Sequence, residues 1–78
     1  MTNTRLTQAA IEANLSVLTD GLQRASTLAD MARAAIAAGH RNLAIGTILP
    51  LELELPTMAG LLTAILALHR RAGQGGDA

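Results

Sequence analysis

The sequence predicts an all-α protein: a long helix and a shorter helix joined by a partly extended, proline-bracketed connector, folded as a helical hairpin and paired as a homodimer in a four-helix arrangement. Three observations predict it. Apolar residues recur at Ile11, Leu15, Leu18, Leu22, Ala25, Ala29, Ala32 and Ile36, in the alternating wide and narrow steps of a single helical stripe. A denser apolar run, TMAGLLTAILALHRRAG, lies near the C-terminal end. Between the two, NLAIGTILPLELELP alternates leucine with glutamate at period two.

The first stripe defines the long helix, expected from near Thr4 to near Gly39. Glu12, Ser16, Thr19, Gln23, Ser26, Thr27 and Asp30 gather on an arc beside and behind the stripe, as one buried face requires. Asp20-Gly21 is a turn-prone pair and costs helix propensity. Leu18 and Leu22 nevertheless keep one phase across it, so the helix is read as continuous. Gly39 offers a left-handed stop, and His40 and Arg41 suit the negative end of the helix dipole. The small residues Ala25, Ala29 and Ala32 allow close approach of a second helix.

The shorter helix is expected over residues 57–72, with Gly73 as its stop. Its polar arc is narrow, holding only Gly60, Thr63, Ala67 and Arg70, so it needs cover on two sides. Residues 1–72 then form one small domain and residues 73–78 a flexible tail.

Period two puts Leu51, Leu53 and Leu55 on one face of the connector and Glu52 and Glu54 on the other. Pro50 and Pro56 bias Leu49 and Leu55 away from helix, which favours a short strand or strap. The competing reading makes Pro50 the first residue of a helix whose first turn carries the glutamates.

Lengths then argue for a second copy. About 35 helical residues span about 50 Å, whereas 16 span about 24 Å. A short helix folded back on the alanine-rich half leaves the rest of the long one bare. Self-association is therefore expected through Ile11, Leu15, Leu18 and Leu22 with Leu61, Leu62, Ile65 and Leu66. Composition agrees, because a chain of 78 residues with no Phe, Tyr or Trp buries little area per residue and small domains have thin margins.

The same composition narrows the chemistry. The absence of cysteine removes disulfides, thiol nucleophiles and thiolate metal sites, and with no apolar leader it makes the cytoplasm the expected compartment. Six basic and six acidic residues balance, so no global field draws in nucleic acid or an anionic membrane. All six basic residues are arginine, which with the alanine and glycine content points to a GC-rich bacterial source. His40 and His69 stand in no metal-ligand spacing. Glu52 and Glu54 are read as a solvated pair and not as an acid–base couple. Ser16 and Ser26 sit in no nucleophile motif, and no glycine pattern cradles a phosphate. Asn14-Leu15-Ser16 matches a glycosylation acceptor only by chance, since its asparagine falls inside a helix.

The expected function is thus non-enzymatic, with no cofactor. The chain reads as a protein–protein interaction module (a regulator, inhibitor, chaperone-like adaptor or accessory subunit) that meets an unidentified larger protein through Leu51, Leu53, Leu55, Arg70 and Arg71. Two alternatives stand beside it: a DNA-associated dimeric regulator using paired arginine spots, and a peripheral membrane module using the leucine-rich helix. Nucleic-acid recognition is disfavoured by the missing aromatic stacking groups, and no uninterrupted apolar segment reaches membrane-spanning length.

Overall fold

A computed structural model describes residues 2–74, with side chains over residues 4–73. Helix α1 runs Thr2–Ala37, α2 Arg41–Ile48 and α3 Leu51–Gln74. α1 packs against both later helices, and the Cα trace forms a rod of 57 × 15 × 15 Å. The expected tail beyond Gln74 lies outside the described residues, and α3 passes through Gly73, where a stop was expected.

α1 is continuous across Asp20-Gly21, and the reason lies on the other arm. A Cβ at Gly21 would fall 2.7 Å from Met58 Sδ, so the glycine clears space for a buried methionine of α3. α1 ends as the sequence suggests. Gly39 has φ +84° and donates its N–H to Ile36 O at 3.0 Å, while His40 N–H reaches Ala35 O at 2.8 Å. These paired bonds are a Schellman motif, which closes the last carbonyls of the helix. A Cβ at Gly39 would touch nothing, so the penalty for Gly39→Ala is backbone strain alone, and we expect it to lower stability by about 1–2 kcal/mol in urea unfolding.

The connector is helical, which corrects the extended reading and removes the length mismatch built on it. A lone strand here would have no neighbour to pair its backbone groups, whereas a helix pairs them internally. Leu49 is itself in αR and donates to Ile45 O at 3.0 Å, and Glu54 N–H bonds Pro50 O at 3.1 Å. At Pro50 the i→i−4 ladder gives way to bonds three residues back, from Glu52 N–H to Leu49 O at 3.1 Å and from Leu53 N–H to Pro50 O at 3.2 Å, which divides α2 from α3, and Glu52 and Glu54 occupy the first turn of α3. Pro56 lies within α3 on its exposed side. α2 and α3 together therefore return along the whole of α1.

The inward-facing positions follow one rule on both arms. On α1 they are Thr7, Ile11, Asn14, Leu18, Gly21, Ala25, Leu28, Ala32 and Ala35, with Ala10 beside them. On the return arm they are Ala44, Thr47, Leu51, Glu54, Met58, Leu61, Ile65, Leu68 and Ala72, in unbroken heptad phase across Pro50. A seven-residue repeat is the pattern of a left-handed two-helix coil. Near the turn the core is alanine, with Ala32 and Ala35 against Ala44, which is only 2% exposed. Small side chains there permit tight approach but bury little area.

Two side-chain placements differ from the alternating pattern. Glu54 is half-buried, with Arg24 Nε 3.3 Å from its Oε1, so the two glutamates do not share a solvated face. Leu51 turns inward, whereas Leu53 is 79% exposed and Leu55 is also exposed. We therefore expect Leu53→Asp to change unfolding free energy by less than about 0.5 kcal/mol, the usual range for a surface change. A large loss would restore the buried alternation.

Candidate interaction surface

The two flanks of the hairpin differ in kind. On one side Val17, Gly21, Glu54, Thr57, Met58 and Leu61 line a groove, and the Arg24–Glu54 ion pair crosses the same flank. That flank carries charge at its middle. On the opposite side, at the open end of the hairpin, Gln8, Ile11 and Glu12 of α1 line a groove with His69 of α3.

Gln8 and His69 fix how the apolar rows continue along this second flank. Steps of one heptad from Gln8 along α1 reach Leu15, Leu22, Ala29 and Ile36. The same steps back from His69 reach Leu62, Leu55 and Ile48. Every one of these is exposed, with Leu22 at 51% and Ile36 at 52%. Ala59 and Leu66 widen the α3 row. Neither row carries a charge between Gln8 and Ile36 or between Ile48 and His69. An apolar face with two charge-free central rows thus runs along the rod, parallel to the inner seam and separate from it, with Glu12, Arg33 and Glu52 in the rows that flank it.

The residues expected to mediate self-association divide between seam and face. Ile11, Leu18, Leu61 and Ile65 turn toward the other arm of their own hairpin. Leu15, Leu22, Leu62 and Leu66 stay exposed on the outer face. The sequence reading missed Ile48, Ala59 and the inner row of Asn14, Gly21, Leu28 and Ala35. The signal for the last was the seven-residue spacing of Asn14, Gly21, Leu28 and Ala35, in which Gly21 becomes intelligible only with Met58 facing it. Of the residues expected to meet a partner, Leu51 is half-buried, Leu55 belongs to the apolar face, and Leu53, Arg70 and Arg71 point to solvent.

Polar chemistry is sparse along the rod. The hydroxyls of Thr27, Thr47, Thr57 and Thr63 each bond the carbonyl four residues back, as does the Asn14 amide. Such bonds satisfy a polar group within its own helix and leave it without a shared network. Among the described residues no three His, Asp or Glu side chains stand close enough to hold one metal ion. Arg41 lies at the turn and Arg70 and Arg71 near the open end, so the two basic spots sit at opposite ends of a 57 Å rod.

The return arm is also apolar in bulk. The stretch Arg41–Gly73 is long and apolar enough to cross a membrane by length and composition, with 11% of its most apolar window buried. Comparison with known proteins gives no match to any family model, any curated protein or any solved structure.

Proposed function

We propose that this chain is a non-enzymatic protein–protein interaction module that works as a homodimer, a regulator, adaptor or accessory subunit and not a catalyst. The apolar face carries this reading. A compact chain of 8.0 kDa exposes about 4,500 Å² on the general size relation, and this one exposes 5951 Å², an excess of about 1,500 Å². An elongated rod carries such an excess by shape; what marks an interaction site is that exposed Leu15, Leu22 and Ile36 of α1 and Leu55 and Leu62 of α3 lie side by side in it. After self-pairing, the ridge bearing Leu53 and Arg70 stays free for a further protein.

A second reading is favoured by the apolarity of the return arm: association with a membrane. Against a span, the charge-free stretch from Leu55 to His69 covers only about 22 Å of helix, short of the roughly 30 Å hydrocarbon core. Glu52 and Glu54 cap one end of that stretch and Arg70 and Arg71 the other.

Sedimentation equilibrium of the purified chain, with and without anionic vesicles, separates the readings. We expect a mass near twice 8.0 kDa at micromolar concentration and no pelleting with vesicles. A monomer mass that persists with concentration, or quantitative pelleting, overturns the proposal.

A further inference from the structure

We infer that a second copy of this chain covers the apolar face in one defined arrangement: antiparallel, α1 on α1 and the return arm on the return arm, with the twofold axis passing at Leu22. The assignment rests on the homodimer reading above and adds its register and polarity. Two observations make a second copy the occupant: exposed apolar rows that run over about 42 Å of α1, from Gln8 to Ile36 at 1.5 Å per residue, and a rim whose charges complement one another about a twofold axis.

The register comes from the rows themselves. With the twofold at Leu22, Leu22 meets Leu22 of the partner subunit, Leu15 meets the partner's Ala29, and Gln8 meets the partner's Ile36. Large thus opposes small beside a symmetric leucine contact.

The rim of the face is complementary in the same register. Arg5, Glu12, Thr19, Ser26 and Arg33 form the next heptad row outward on α1, and Glu12 lines the open-end groove beside Gln8. An antiparallel twofold at this level brings Glu12 to Arg33 of the partner subunit and Thr19 to the partner's Ser26. Each dimer gains two such ion pairs. Arg33 is exposed and its only pairing among the described residues is the loose 3.4 Å contact with Asp30 of its own helix. Stacking α1 on the return arm instead leaves Glu12 and Arg33 without these partners.

On the return arm, the level of Leu22 follows from the Gly21–Met58 and Arg24–Glu54 contacts, which place it near Pro56 and Thr57. There Leu55 meets the partner's Ala59, and Ile48 meets the partner's Leu66. Glu52 falls opposite the partner's Leu62 at the rim, with its carboxylate open to water. The opposite flank of the hairpin cannot serve as well, because Arg24 and Glu54 put a desolvation cost at its centre.

The chain has no cysteine, so single introduced thiols report the register. Leu22→Cys should cross-link to itself with a short bis-maleimide, while Leu53→Cys on the outer ridge should not. Glu12→Arg should weaken dimerisation about tenfold, and Glu12→Arg with Arg33→Glu should restore it. Cross-linking of Leu15→Cys to Leu62→Cys across a mixed dimer, with none at Leu22→Cys, overturns the register while a dimer mass keeps the broader reading. A monomer mass for the unaltered chain overturns both.

Discussion

Ile65→Ala should lower the unfolding free energy by about 2–4 kcal/mol, the range for emptying a buried aliphatic site. Ile65 is 8% exposed and lies in the inner row opposite the long helix, near the level of Asn14. Few large side chains share that work, since among the described residues the buried ones are three alanines, Met58 and Ile65. A domain of this size has on the order of 4–12 kcal/mol in total, so the loss is a large fraction of it. Thermal unfolding followed by circular dichroism should show Tm falling by more than about 10 °C, given 4–8 °C per kcal/mol at this length. Leu53→Ala removes the same number of carbon atoms from a site open to water and should leave Tm nearly unchanged. Equal losses at the two positions would mean that the inward rows are misassigned.

Leu22→Glu should act on assembly and not on the hairpin. The side chain points away from the inner seam, so the variant can still fold its two arms together. At the proposed twofold, however, two carboxylates would replace two leucines. Losing about 2 kcal/mol at each copy weakens association by roughly a thousandfold, before any repulsion between the charges is added. Sedimentation at a concentration where the unaltered chain is dimeric should return the monomer mass of 8.0 kDa. An unchanged dimer mass would exclude the Leu22 face as the interface.

The comparison of sequence with structure turns on which residues look buried. Continuity of α1 through Gly21 and its stop at Gly39 were legible because phase and glycine placement are local properties. The stripe from Ile11 to Ile36 was legible as apolar, but it merges two rows. Ile11, Leu18, Ala25 and Ala32 face the other arm, and Leu15, Leu22, Ala29 and Ile36 do not. A reading that sends the largest apolar residues inward fails here, because the inner row alternates them with Thr7, Asn14 and Gly21. Those small and polar residues face inward because the opposing arm fills the space above them, as Met58 does over Gly21. The connector misled for a related reason. LELEL has period two in sequence, but the return arm's seam enters it at Leu51 and Glu54, and an inward glutamate makes sense only once Arg24 is found beside it.

In the proposed assembly two apolar surfaces have separate uses: an inner seam closes the hairpin and an outer face receives a second copy. Isotope-filtered NOE spectra on a dimer mixed from labelled and unlabelled chains test this most directly. Between chains, the account predicts contacts from the methyl groups of Leu15, Leu22, Ile36, Leu55 and Leu62, and none from Leu28, Met58 or Ile65. Interchain contacts from Leu28, Met58 and Ile65 would instead show that the inner seam is the dimer interface, and the account would be wrong.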